Sequence, residues 1–169
     1  KYQRGFAATE RVLNDKKNGQ TVVANPSYFQ KAFLQDDYNK DAVQEVKKGI
    51  KKAIPELKAG KVGLEKDEIA GYHFMFAMPY YKDFIEVGEG KQDALLKRLK
   101  DEASEQIVFE VELENGAKLF GVDLKNSEGF VKTIEVSERA TLLPYPILIE
   151  NGKAYIMAPK YYLAVNFSD

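Results

Sequence analysis

The chain lacks the residues that several common catalytic and metal sites require. Its 169 residues include no cysteine and a single histidine. The absence of cysteine excludes disulfides, thiolate nucleophiles and every zinc site that needs sulfur. A serine triad would have to use His73, and no Gly-x-Ser-x-Gly motif accompanies it. We therefore expect no catalytic residue, no metal site and no cofactor, and we interpret His73 as a packed helix residue.

Long apolar runs and an imbalance of charge are also missing. No apolar run approaches the ~18 residues that a membrane-spanning helix requires. The 25 basic and 26 acidic residues leave a net charge of −1, so the whole chain has no strong field favouring nucleic acid or anionic lipid. We expect no transmembrane segment and no nucleic-acid partner.

The sequence contains partial matches to two ion-binding motifs, but each lacks required residues. Asp37, Asn39 and Asp41 have the spacing that opens an EF-hand loop, but the glycine and the bidentate glutamate that must follow are absent. Gly60 and Lys61 resemble the end of a phosphate-binding loop, but valine replaces the hydroxyl residue that would hold magnesium. Neither motif predicts a bound ion. The lysine-rich run at residues 47–52 is interpreted as a solvated helix face, with an anion site as the alternative.

The clearest structural signal lies in residues 106–167, which predict one antiparallel sheet. Asn115-Gly116 and Asn151-Gly152 each separate two runs of strand-forming residues, and Asn-Gly favours a two-residue type I′ turn. Such turns would place Val111 opposite Phe120, Phe109 opposite Val122 and Ile107 opposite Leu124. The second hairpin would pair Ile149 with Ala154 and Leu148 with Tyr155.

The first part of the chain favours helices. Apolar spacing and capping residues predict them over residues 3–14, 27–35, 40–54, 65–78 and 91–104. Two further strands are predicted at residues 130–136 and 161–167. The fold class is therefore α+β, a single domain over residues 1–169, with N-terminal helices (about 1–104) on one face of a C-terminal antiparallel sheet (about 105–168) built from hairpins.

Tyrosine is the abundant residue that suggests a function. The chain has 10 tyrosines and no tryptophan. Tyrosine supplies amphipathic contact area at a small entropic cost, which suits binding surfaces. The alternative is a tryptophan-free core that uses tyrosine at its margins. If a ligand site exists, we predict that Tyr80, Tyr81, Tyr155 and Tyr162 line it, on an aromatic face of the sheet.

One segment resembles a known family. The run from Asn151 to Pro159, followed by Tyr161 and Tyr162, resembles the Gly-Lys to Ile-Pro to Ala-Tyr stretch of FKBP-type prolyl isomerases. That resemblance implies an enzyme that isomerises prolyl peptide bonds. The pocket tryptophan and the Phe-Asp signature of the family are absent.

These observations support three functional hypotheses. The first is a non-catalytic domain that binds a small ligand or a protein partner through the aromatic sheet face. The second is a small enzyme, most testably a divergent prolyl isomerase, and the third is a structural or assembly protein. The abundance of tyrosine and the Asn-Gly hairpins favour an exported, extracytoplasmic protein, either periplasmic or at the cell surface. A lipid anchor upstream of Lys1 is one form that such a protein could take.

Overall fold

A five-stranded antiparallel sheet and a separate two-stranded hairpin form the β-structure of the residues that the structure describes. The structure is a computed structural model that describes residues 3–58, 69–71, 76–125, 129 and 141–167. The strands are β1 (Val12–Asp15), β2 (Gln20–Val23), β3 (Ile85–Glu89), β4 (Ile107–Glu112), β5 (Lys118–Val122), β6 (Tyr145–Glu150) and β7 (Lys153–Ile156). The helices are α1 (Pro26–Leu34), α2 (Lys40–Ala53), α3 (Gln92–Ala103) and α4 (Pro159–Asn166), with short 3-10 turns at Gly5–Ala8 and Gln35–Asp37.

The first two helices begin where local capping chemistry predicts. The side chain of Asn25 accepts a hydrogen bond from the Ser27 amide, and Pro26 occupies the first turn of α1. The side chain of Asn39 accepts from the amides of Asp41 and Ala42, both at 3.0 Å. The helices predicted at residues 27–35, 40–54 and 91–104 are confirmed as α1, α2 and α3.

The large sheet has the order β3-β7-β6-β5-β4, in which all neighbours are antiparallel. β1 and β2 form the separate hairpin. The predicted α+β class, with helices in the N-terminal half and an antiparallel sheet towards the C-terminus, is confirmed.

Both faces of the large sheet are covered. On one face Leu119 and Leu148 pack in a cluster with residues of α1, α4 and the N-terminal segment. On the other face Phe120 and Ile149 pack with the leucines of α3. β5 is therefore buried on both sides, because Leu119 and Phe120 point to opposite faces and neither is exposed. α2 lies further out and packs on α1.

The register predicted for the first hairpin is wrong. Val111 pairs with Leu119, Phe109 with Gly121 and Ile107 with Val122. The amide of Leu113 donates to the carbonyl of Ala117, so the loop contains three residues and not two. Only its last residue, Gly116, has a positive φ, 79°. A three-residue loop ending in a left-handed glycine is the next most common hairpin connection after the two-residue turns.

The second hairpin is as predicted. Asn151 and Gly152 have φ values of 52° and 74°, as a type I′ turn requires. Ile149 pairs with Ala154, and Leu148 pairs with Tyr155. This turn fixes the register between β6 and β7, the two strands that it connects.

Two predicted elements are replaced by others, and one strand was missed. Residues 3–14 form a 3-10 turn and most of β1 in place of a helix, and residues 161–166 belong to α4 in place of a strand. α4 buries Tyr161, Tyr162 and Val165, which is helical spacing, and Pro159 stands in its first turn. The edge strand β3 was not predicted.

Some predictions fall on residues that are not described. The strand predicted at residues 130–136 and His73 lie outside the described ranges. Most of the helix predicted at residues 65–78 also lies outside them, and its described parts, 69–71 and 76–78, are not helical.

Candidate functional site

Two of the four predicted site tyrosines are interior residues. Tyr81 is buried, and its hydroxyl donates to the carbonyl of Gln3 at 2.6 Å. Tyr162 is also buried, and its hydroxyl donates to the carbonyl of Leu142. Burial raises the pKa of both phenols, so both stay protonated at neutral pH. These hydroxyls already have backbone partners, and the rings fill the core.

The other two predicted tyrosines are more accessible. Tyr155 on β7 is half-buried, and its ring centroid lies 6.1 Å from that of Phe84. Phe84 also meets Tyr81, edge to face, at 4.9 Å, so Tyr81 and Tyr155 belong to one aromatic cluster. Tyr80 is exposed and lies beside Lys82, whose ammonium is 5.8 Å from the ring centroid. The prediction that these four residues bind a ligand stays a prediction.

Most of the aromatic set stabilises the interior. Tyr145 packs edge to face on Tyr162 at 5.1 Å, and its hydroxyl donates to the carbonyl of Met157 at 2.9 Å. Burial raises the pKa of Tyr145 to about 12. Tyr161 donates to the carbonyl of Ala32. Phenols at the margin of a core satisfy their hydroxyls in this way, as the alternative interpretation of the tyrosines expects.

Arg11 connects the N-terminal hairpin to the segment before β6. Its Nη1 donates to the carbonyls of Pro144 at 2.6 Å and Leu142 at 3.2 Å, with Thr141 and the hydroxyl of Tyr162 slightly further away. The guanidinium carbon lies 5.8 Å from the ring centroid of Phe109. No carboxylate pairs with Arg11 within the described part of the chain. Sequence reasoning missed this residue, since nothing local distinguishes it from other surface arginines.

A small cavity adjoins Arg11. Its volume is about 20 Å³, and its polar lining includes Glu10, Thr9 and Thr141. Burial raises the pKa of Glu10, although a hydrogen bond from Gln30 at 2.9 Å partly opposes this. A cavity of this size holds about one water molecule, whereas pockets for organic ligands measure roughly 300–1,000 Å³. Nor do the described residues contain any group of three or more side chains that could hold a metal ion.

The outer edge of β3 exposes two apolar side chains. β3 pairs with β7 on one side and with no described strand on the other. Ile85 is 42% exposed and Val87 is 52% exposed. Val87 is the extra residue of a β-bulge, because the pairing register shifts between Glu86 and Gly88. Tyr155 lies directly opposite Glu86 on β7, so one of the predicted site residues borders this edge.

The opposite edge, β4, is protected by charge. Glu110 contacts Lys100 at 2.7 Å and Lys118 at 2.8 Å, and Glu112 lies 3.3 Å from Lys118. The hydrogen bonds from Lys100 and Lys118 lower the pKa of Glu110. A β-bulge occurs here too, at Val108, which is 60% exposed. Both edge strands therefore carry an exposed valine at a β-bulge, Val87 on β3 and Val108 on β4. β3 exposes a second apolar residue, Ile85.

Two carboxylates and one ammonium accompany the β3 edge. Lys153 on β7 contacts Glu86 at 2.7 Å and Glu89 at 3.9 Å. One lysine between two glutamates leaves a local charge of −1. Glu89 is largely exposed and remains accessible to a further cation.

Comparison with family models, curated proteins and solved structures yields no match. The prolyl isomerase activity implied by residues 151–159 stays a prediction; they form the second hairpin turn, β7 and the start of α4. Over the described residues, no helix has both the length and the apolar character needed to cross a membrane.

Proposed function

We propose that this chain is a non-catalytic interaction domain that binds an extended segment of a partner protein along the outer edge of β3. The observation that carries the proposal is the exposure of Ile85 and Val87 on an edge strand whose outer side pairs with no described strand. An edge strand offers unpaired amides and carbonyls to any strand that lies beside it. The binding surface would thus be the rim of the sheet, near Tyr155, and not the aromatic face.

The contrast between the two edges supports this choice. Natural sheets usually protect their edges with charged residues, as β4 does with Glu110, Glu112 and Lys118. β3 carries a similar set, Glu86, Glu89 and Lys153, but it exposes two apolar side chains, Ile85 and Val87, where β4 exposes one, Val108. Exposed apolar side chains on an edge strand promote association, which supports a partner at β3.

Among the described residues, the small size of the cavity beside Arg11 also favours a surface site. The space beside Arg11 accommodates about one water molecule, which is too little for an organic ligand. A peptide strand needs no cavity, because main-chain hydrogen bonds supply much of its affinity.

The charges on β3 favour a basic peptide over a second copy of the chain. Pairing two copies along β3 would bring Glu86 and Glu89 of one copy close to the same residues of the other. Like charges on adjacent strands destabilise the pairing. An apolar segment carrying a lysine or arginine would instead pair with the exposed carboxylate of Glu89.

The test is a selection of binders from a displayed library of random peptides, followed by affinity measurement on three proteins. These are the wild type, Val87→Lys and Val108→Lys. The two variants are matched, since each adds a lysine at a bulged, exposed valine on one edge of the same sheet. We expect the selected peptides to lose at least about tenfold in affinity, or 1.4 kcal/mol, for Val87→Lys and to keep it for Val108→Lys.

Hydrogen exchange then locates the binding. A bound strand should slow amide exchange in β3 and leave exchange in β4 unchanged. Peptides that bind both variants equally well, or a library that yields no binder, would contradict the proposal. If the protein instead dimerises with increasing concentration and Val87→Lys abolishes the dimer, the β3 edge mediates self-assembly and the peptide proposal is wrong.

A further inference from the structure

Helix α2 has an apolar stripe that the fold covers only in part. Val43, Val46 and Ile50 recur at helical spacing, and Ile54 continues the same stripe. Val43 is buried, but Val46 is 36% exposed, and Ile50 and Ile54 are half-buried. A surface helix normally buries such a stripe against the core. The C-terminal half of α2 therefore retains apolar surface that the described part of the chain covers only partly.

The lysines of α2 are arranged around this stripe. With about 3.6 residues per turn, Lys47 and Lys51 lie beside the stripe, whereas Lys48 and Lys52 lie on the opposite side of the helix. Residues 40–58 contain six lysines and three acidic residues, so they carry +3 in a chain whose net charge is −1. Positive charge is thus concentrated on α2 and the turn after it, while the remainder of the protein is acidic.

We propose that the C-terminal half of α2 docks onto an anionic membrane surface, with its apolar stripe towards the lipid and Lys47 and Lys51 at the headgroups. A helix that lies in the interface typically combines a partly exposed apolar face with flanking lysines. The lysine stems cover the edge of the stripe, and the ammonium groups reach the phosphates. Lys47 is half-buried and Lys51 exposed, as expected for side chains flanking such a stripe.

The same residues fit nucleic acid less well. Single-stranded nucleic acid is held by aromatic side chains that stack on its bases, and α2 contains no aromatic residue. The half-exposed Val46 and Ile50 would find no partner on a phosphate backbone. This inference uses a different surface from β3 and does not depend on the proposed peptide site.

The experiment is co-sedimentation with phosphatidylcholine vesicles that contain or lack phosphatidylserine. Three proteins are compared: the wild type, Lys47→Glu/Lys51→Glu and Lys48→Glu/Lys52→Glu. Both variants make the same charge change on the same helix, so a difference between them reports which side of α2 faces the lipid. Circular dichroism confirms that the helix content of each is retained.

We expect the wild type to bind only the vesicles with phosphatidylserine, and less strongly as salt increases. Each lysine near such a surface contributes about fivefold to binding, so Lys47→Glu/Lys51→Glu should lose at least about 25-fold. Lys48→Glu/Lys52→Glu should lose clearly less. Equal losses in the two variants, or a wild type that stays in the supernatant, would overturn the proposal. Tighter binding to a single-stranded oligonucleotide at the same salt would overturn it in favour of nucleic acid.

Discussion

Substitution of Gly121 tests the packing between the sheet and the segment that Arg11 binds. Gly121 lies in β5 directly opposite Phe109. A Cβ atom at this position would come within 2.2 Å of the Phe109 ring and 2.6 Å of Pro144, whereas ordinary contact begins at 3.4 Å. The aromatic ring covers the glycine, an arrangement known to compensate for glycine in a strand. The close approach of two rings explains why only glycine fits here.

Gly121→Ala should destabilise the fold strongly. Overpacking usually costs about 1–3 kcal/mol, and this site lies at the upper end because both contacting groups are rigid rings. Phe109 has little freedom to turn away, since the guanidinium of Arg11 lies over its ring. We expect a loss of about 3 kcal/mol in the free energy of unfolding. At about 2–4 °C per kcal/mol for a chain of this size, Tm should fall by roughly 6–12 °C.

The assay is urea unfolding followed by circular dichroism, with thermal unfolding as a second measure. Gly49→Ala is the matched control, because Gly49 stands inside α2 with nothing within 4 Å of an added Cβ. That control should gain about 0.5–1 kcal/mol from helix propensity alone. In a Phe109→Ala background the cost of Gly121→Ala should shrink. A Gly121→Ala protein within about 0.5 kcal/mol of the wild type would refute the reasoning, because surface-like substitutions fall in that range.

Two further substitutions test the buried carboxylates. Burial raises the pKa of Glu10, so above the usual value of 4.5 the folded state holds a proton that the unfolded state has lost. The free energy of unfolding of the wild type therefore falls as pH rises above 4.5 towards neutrality. Glu10→Gln cannot lose this proton, so its stability relative to the wild type should increase over the same pH range. A relative stability that decreases with pH would contradict this. Glu150 is only 2% exposed and accepts from the Gln3 amide at 2.8 Å and from Asn115 at 2.9 Å. Glu150→Ala should cost about 2–3 kcal/mol in urea unfolding, since it removes a buried side chain that accepts two hydrogen bonds. Glu150→Gln, which keeps the size and one acceptor oxygen, should cost less; equal costs of the two substitutions would contradict this reasoning.

Local signals predicted the parts of the fold that local chemistry decides. α2 begins at Asn39, the asparagine that caps it, and Asn151-Gly152 adopts its type I′ turn. The cap of α1 is Asn25, whereas the sequence favoured Ser27. The register of the first hairpin was not predictable in this way. Alternation selects a register only where one face of a strand is exposed, and β5 is buried on both faces. Its turn also depends on a distant contact, since the side chain of Asn115 donates to Glu150.

α4 was missed because residue type and periodicity suggested a strand. Tyr161, Leu163, Val165 and Phe167 alternate, and tyrosine and valine favour strands. Burial in the structure instead follows helical spacing, with Leu163 exposed between the buried residues. The site prediction was limited by the same ambiguity. A tyrosine that faces a ligand and one that fills a core look alike in sequence, and only the fold distinguishes Tyr80 from Tyr81.

Arg11 has a consequence for the order in which the protein forms during synthesis. Its hydrogen bonds reach residues more than 130 positions later in the chain, and the Gln3 amide binds Glu150 across 147 positions. The N-terminal segment thus has these acceptors among residues that are synthesised more than 130 positions later. We expect the first part of the nascent chain to remain open until residues 141–167 emerge, because non-local contacts form late and slowly. Over that interval the apolar side chains Phe6 and Phe33 would be exposed, and the protein would depend most on chaperones.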